Sequence, residues 1–302
     1  MSRTLVRYGY VPFMLIGLNG LGIAAVYHGW SYLWIAPILL AAIGLTFLAE
    51  RIAPNHDEWN HDQADTQTNI FHAIVYEIQN INGVLLIPLL VWLLPSADIW
   101  PTEWPLLLQL VIAVLFADFV FMVIHMLSHK YPLLWRLHAV HHGVSRLYGF
   151  NGLVRHPLHQ ALDMVVGTLP LVLMGMPTDV AILLGMVIAI QLTVQHANVS
   201  YELGPFRNVM SIGQLHHLHH VNWGTEGDCN FGLFLTLWDR LFGTFNPNPS
   251  RTITAADMGI DEVPNFPKTY WEQLLFPLHY KPGNGAAAWD RRTMDGGPTP
   301  AE

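Results

Sequence analysis

Charge is scarce in this 302-residue chain: Asp, Glu, Lys and Arg together make up 12% of it, against about 25% for an average soluble domain. So little charge excludes a single large water-soluble core and makes the bilayer the expected solvent. The net charge of −8 leaves no basic stripe to release counterions from phosphates, so nucleic acid is excluded as a partner. Cysteine is almost absent. The lone Cys229 excludes an internal disulfide framework and thiolate-rich zinc or iron–sulfur sites, so any metal must be held by His and carboxylate. No Gly-rich dinucleotide fingerprint follows a strand, and reducing equivalents would have to come from another protein.

Apolar residues, at 52%, come in blocks bounded by Pro, Gly, Trp and Tyr. Four blocks, at about residues 10–27, 32–49, 74–94 and 105–124, are long enough to span about 30 Å of hydrocarbon. A shorter pair at about 161–176 and 179–195 meets at Met176, Pro177 and Thr178, which predicts a helical hairpin. Arg3 and Arg7 before the first block resemble a secretory signal, but no small-residue cleavage site follows, so a retained helix is expected. With the N-terminus inside, the outer segments His28 to Ser31, Pro95 to Trp104 and the Met176 turn carry no Lys or Arg. All 14 basic residues then lie on the cytoplasmic side.

The expected architecture is an all-α integral membrane protein: four long transmembrane helices plus a helical hairpin, with a cytoplasmic helical cap holding a dimetal site. Its expected divisions are an N-terminal transmembrane hairpin at 1–60, a catalytic domain at 61–250 and a cytoplasmic tail at 251–302, loosely ordered beyond Lys281. Short loops and the absence of sorting signals fit a bacterial inner membrane.

Of 17 histidines, twelve lie between positions 125 and 220. His125 and His129 are four apart, on one face at the inner end of the fourth span. His138, His141 and His142, and again His216, His219 and His220, repeat a His-x-x-His-His spacing that also shares one helical face. Eight imidazoles exceed what one open-coordinate ion can use, so a dinuclear site is expected, with His196 as a ninth ligand. Repeated same-face imidazoles have no ordinary packing use. Asp118, two turns before His125, is expected to orient an imidazole N–H. His156, His159 and His217 lie near the site but outside the repeated spacing. His28, His56, His61, His72 and His279 read as capping or membrane-interface residues, and Trp223, Trp271 and Trp289 as interface anchors. Spacing does not choose among iron, zinc, copper and nickel.

These residues resemble the fatty acid hydroxylase and sterol desaturase superfamily of membrane di-iron enzymes. The resemblance runs from Asp118, His125 and His129 through Leu134 to His142, then Arg155, His156 and Pro157, then His196 to Asn198. It closes on His216 to His220 and Asn230 to Thr244, and Asp65, Thr68 and Asn69 match the segment before the third span. It implies a mushroom-like helical fold, two iron ions, and O₂-dependent hydroxylation or desaturation of a sterol, fatty acid or alkyl lipid. A ferredoxin- or cytochrome b5-like donor would supply electrons. Met126, His159, His217 and the Ile212–Gly213 pair depart from the family pattern without removing a matched ligand. In Trp238 to Thr244, Trp238 and Phe242 are expected to pack the cap onto the spans in a helix ended by Gly243, with Asp239 pairing an Arg or orienting a ligand. Two other readings remain open at this stage: a metal-transport or metal-binding membrane protein, and a catalytically dead scaffold.

Overall fold

The computed structural model describes residues 2–94 and 97–280. Eleven α-helices account for most of the described chain: α1 Arg3–Pro12, α2 Asn19–Tyr27, α3 Ile35–Ile52, α4 Thr66–Leu93, α5 Leu106–Lys130 and α6 Pro132–His142, then α7 Pro157–Leu173, α8 Thr178–His196, α9 Gln214–His219, α10 Leu237–Phe242 and α11 Tyr270–His279. Among the described residues β-structure is confined to isolated bridges, such as Pro54 with Val199.

Among the described residues, five helical stretches are long and apolar enough to cross a membrane: Arg3–Tyr27, Tyr32–Ile52, Thr66–Ile87, Leu106–Lys130 and Thr178–His196. The chain is an integral membrane protein. The first stretch is continuous because a π-helical turn at Phe13–Leu18 joins α1 to α2. Helices α7 and α8 form the expected hairpin, turning at Gly175 (φ 95°). Ala97 N–H, in the segment between α4 and α5, donates to Leu173 C=O and closes over that turn.

Hydropathy stopped short of the cap-side ends of two of these helices. The fourth span continues to Lys130, and α4 starts at Thr66, eight residues before the apolar block. Apolar runs record the hydrocarbon layer, whereas helical hydrogen bonding carries on wherever side chains still find partners. At 25 residues, α5 is about 38 Å long. It outreaches the roughly 30 Å apolar layer and delivers its last turns to the cap.

Helix α8 is the central post. Buried residues fill 78% of its apolar window, against 18–44% for the other four spans. Ile190, Val194, Leu183 and Met186 on α8 join Met14, Ala42 and Ala117 in one core cluster that ties the N-terminal helices to the hairpin.

The cap is fastened to the spans by polar contacts. Glu50 Oε1 accepts from Gly149 N–H at 2.5 Å and Asn198 N–H at 3.0 Å. Arg146 donates to both oxygens of Asp65 and to the Trp59 carbonyl. Residues after 250 are not a separate tail up to Tyr280: Met258 packs with Trp59 and Val140, while Ile260, Phe276 and Tyr280 pack on Ala139 of α6. The expected loose end beyond Lys281, with Trp289, lies outside the described residues.

Candidate metal centre

Four helix ends converge under the cap. Helix α5 brings His125 and His129. Helix α6 starts at once, because Pro132 takes its first position, where a missing N–H costs nothing, and brings His138, His141 and His142. His196 ends α8. Gly213 (φ 62°) turns the chain into α9, which brings His216 and His219 and is capped by His220; a Cβ at Gly213 would stand 2.7 Å from the Tyr201 hydroxyl.

The nine imidazoles sort into two groups. His125, His129, His138, His142 and His219 form one, and His141, His196, His216 and His220 the other; within each group one ring nitrogen per residue lies within 4.8 Å of all the rest. The repeated triplets are therefore split between groups. His141 parts from His138 and His142, and His219 from His216 and His220. Stacking of His142 on His220 at 4.5 Å joins the two groups.

Most of the rings are anchored through Nδ1, which leaves Nε2 facing inward. His125 Nδ1 bonds Phe231 C=O at 2.9 Å, His141 Nδ1 bonds Val154 C=O at 3.0 Å, and His196 Nδ1 bonds Leu192 C=O at 2.9 Å. His219 Nδ1 faces the carbonyls of Gly227 and Cys229. His129 Nδ1 meets Asp228 Oδ1 at 2.8 Å. These contacts fix the tautomer and aim the lone pair, as outer partners do in metal sites.

The inward nitrogens meet one another. Nε2 pairs stand at 3.1 Å (His129 and His142), 3.2 Å (His196 and His141), 2.9 Å (His216 and His196) and 3.0 Å (His220 and His216). Two metal–imidazole bonds of about 2.1 Å at a right angle would place their nitrogens about 3.0 Å apart. Nε2 of His125 and of His219, and both ring nitrogens of His138, are buried with no protein partner. Burial first, then the neighbouring imidazoles, pushes the pKa of His138, His142, His216 and His220 well below the ordinary value. The rings are neutral, with free lone pairs. An all-nitrogen donor set of this kind fits two first-row metal ions.

The other expected residues surround this centre in different roles. Asp118 reaches no imidazole, contrary to the expectation from helical spacing. Its carboxylate accepts from the N–H groups of Leu233, Phe234 and Leu235 and from Trp238 Nε1. Asp239 accepts from Phe231 and Gly232 N–H, both at 2.8 Å, and among the described residues pairs with no Arg. The two acids together hold the strip whose Phe231 carbonyl anchors His125. Asn198 fastens the Asn55–His56 backbone and touches no site histidine. His156 caps α7 and bonds Leu274 C=O. His217 faces Trp59, away from both groups, and burial lowers its pKa to about 3. His159 lies over His138 at 4.8 Å, with Nε2 2.9 Å from Ser128 Oγ and Nδ1 3.4 Å from Asp163. Arg155 pairs with Asp163 at 2.6 Å.

His72 is not an interface residue: it is buried, with Nδ1 on Arg155 C=O and Nε2 on Gln273. Trp223 sits within the cap, bonded to Asp257 and covered by Arg251, whereas Trp271 is exposed. Trp238 and Phe242 do pack on Phe119 of α5, and Gly243 (φ 76°) ends α10. Asp228, Asp163, Ser128 and the anchoring carbonyls escaped the sequence reading. Asp228 next to Cys229 has no spacing to mark it, and a backbone carbonyl has no sequence signal at all.

A cavity opens beside the centre between α4, α5, α7 and α8 and reaches one histidine of each group, His125 and His216. Along α8 its lining runs from Gln195 to Ala181, fourteen residues or about 21 Å.

Two polyhistidine groups able to hold metal ions, set at one end of a bundle of membrane helices, are the class of site that this geometry defines. The fatty acid hydroxylase family model matches residues 110–244. Ornithine lipid hydroxylase of Rhizobium tropici is 31% identical over 264 residues, covering 82% of this chain and 77% of that one. Alkylglycerol monooxygenase of Danio rerio is 28% identical over 154 residues, covering 51% of this chain and 33% of that one. Sphinganine C4-monooxygenase 2 of Arabidopsis thaliana is 31% identical over 143 residues, covering 46% and 54%. No solved structure matches. The chain belongs to the fatty acid hydroxylase family.

Proposed function

We propose that this chain is an O₂-dependent hydroxylase of membrane lipids whose two histidine groups each hold one iron ion. The observation that carries this reading is the division of nine buried imidazoles into groups of five and four beside one cavity. His125, His129, His138, His142 and His219 are the ligands of one ion, and His141, His196, His216 and His220 those of the other. The relatives' names favour hydroxylation over desaturation, since all three are hydroxylases or monooxygenases.

Bound iron would supply the redox chemistry with O₂; the protein's own groups do the rest. The carbonyl and carboxylate anchors hold five of the nine rings, His125, His129, His141, His196 and His219, in place before metal arrives. The cavity wall brings His125 and His216 against the substrate, and the packed helices keep bulk water out. The reaction balances when one oxygen atom enters a C–H bond and the other leaves as water, with two electrons and two protons from outside. The chain has no nucleotide fingerprint, which favours a separate electron donor, ferredoxin- or cytochrome b5-like as the family resemblance implies. The Lys and Arg distribution supports a cytoplasmic position for the centre, and the short loops without sorting signals fit a bacterial inner membrane. Residues 61–250 form the catalytic unit, and 1–60 is its transmembrane support.

Metal transport is disfavoured because the imidazoles are gathered at one end of the bundle instead of along it. The test is incubation of the iron-loaded protein in bilayer discs with a lipid extract, a reduced donor and ¹⁸O₂. One labelled oxygen in a lipid product is expected. Oxygen consumption with no labelled lipid, or metal uptake into vesicles without oxygen consumption, would overturn the reading.

A further inference from the structure

The cavity beside the histidines is not uniformly apolar. Its α8 wall is Ala181, Leu184, Gly185, Ile188 and Leu192, as an acyl chain requires, with Gln195 at the histidine end. The wall around the start of α7 carries Arg155, two residues before the helix, and Asp163 on it, whose side chains are 14% and 7% exposed and lie 2.6 Å apart. An ion pair withdrawn this far from water costs several kcal/mol per charge before any attraction is counted. Side chains of this kind within a membrane protein mark functional sites by default.

Hydrogen bonding shows spare capacity. Arg155 gives one N–H to Asp163, and its Nε is buried with no partner. A guanidinium has five donors in a fixed fork. The pair is also close to the metal centre: Asp163 touches His159 at 3.4 Å, and His159 lies 4.8 Å over His138. Polar and apolar walls therefore meet at the histidine end of the cavity.

We propose that Arg155 and Asp163 read a zwitterionic, amino-acid-type head group, Arg155 taking its carboxylate and Asp163 its ammonium, so that the carbon hydroxylated lies near the head group. The proposal rests on the lipid hydroxylase reading and narrows its substrate class. Charge balance selects the zwitterion. An anionic head group on Arg155 would face the Asp163 carboxylate at close range, and a cationic one on Asp163 would face the guanidinium. Only a group carrying both signs leaves neither buried charge uncompensated. With the head held on α7, the acyl chain extends along α8 past Gly185, where an added Cβ would meet no atom within 4 Å.

Binding is separable from turnover, which lets the two readings fail independently. The iron-loaded protein in bilayer discs is kept free of O₂ and of electron donor, and retention of three probes is measured: N-palmitoyl-ornithine, palmitate and hexadecylamine. The zwitterion is expected to bind at least about tenfold more tightly than either single-charge probe, the scale of one charge-assisted hydrogen bond. Arg155→Gln is expected to weaken the zwitterion and palmitate by about tenfold and spare hexadecylamine. Asp163→Asn is expected to weaken the zwitterion and hexadecylamine and spare palmitate. A purely structural ion pair would lower all three probes together and reduce bound iron as well, and that result overturns the proposal. Equal binding of the three probes to the unaltered protein overturns it too. Failure to incorporate ¹⁸O into any lipid while this binding pattern holds would instead refute the hydroxylase reading alone.

Discussion

The Phe231 carbonyl and His125 Nδ1 are joined by a 2.9 Å hydrogen bond, and Phe231 is itself held in place by two acids. Asp239 takes its N–H, and Asp118 takes the amides of Leu233, Phe234 and Leu235 further along the strip. A carboxylate on the fourth long span thus acts on a histidine two turns further along the same helix through a loop more than a hundred residues away in the chain.

Replacing Asp118 by Ala leaves three backbone N–H groups and the Trp238 indole without their acceptor. A loss of about 1.5–3 kcal/mol in stability is expected, the range for hydrogen bonds to a charged group. Metal loss should fall first on the group containing His125. Thermal unfolding in detergent with metal analysis checks both; unchanged values would mean that the strip holds itself.

Asp228 holds His129 by a direct contact to Nδ1. Asp228→Ala is expected to weaken the ion of the five-histidine group by about 10–100-fold, the usual effect of removing such a partner. The four-histidine group should keep its affinity. Competition with a calibrated chelator separates the two sites.

Acid should destabilise the metal-free protein. Buried His217 has its pKa lowered from 6.5 to about 3, and burial also depresses His138, His141 and His142. The unfolded chain therefore binds more protons than the folded one below about pH 6.5. Stability is fully present above that value and is lost as pH falls toward about 3. The melting temperature of chelator-stripped protein is expected to drop between about pH 7.5 and 5; a flat profile would contradict neutral buried imidazoles.

Gly185 tests the use of the cavity. Its virtual Cβ meets nothing within 4 Å, and Gly in a helix interior costs about 1 kcal/mol relative to Ala. Gly185→Leu is expected to fold normally, keep its iron and shift preference to shorter acyl chains. An unaltered chain-length profile would place the acyl chain elsewhere.

Periodicity made part of this arrangement legible in the sequence. Helical spacing brought His125 and His129 together and identified both triplets, and the apolar blocks located all the spans. It did not show how the histidines divide, because α6 and α9 approach each other in space and each offers rings to both groups. Asp118 was the right residue with the wrong partner: spacing along α5 pointed to His125, while unpaired amides on a distant strip took the carboxylate. His72 looked like an interface residue because α11, which buries it through Gln273, is linked to it only by the fold. The anchoring carbonyls of Val154, Leu192 and Phe231 carry no residue-type signal and become visible only once the chain is folded.

Iron stoichiometry tests the central claim most directly. The purified, reconstituted protein is expected to hold two iron ions per chain. His220→Ala should lower that toward one by emptying the four-histidine group, and His138→Ala should lower it toward one by emptying the other. A single ion per chain in the unaltered protein, or loss of both ions with either substitution alone, would contradict two separately held metals.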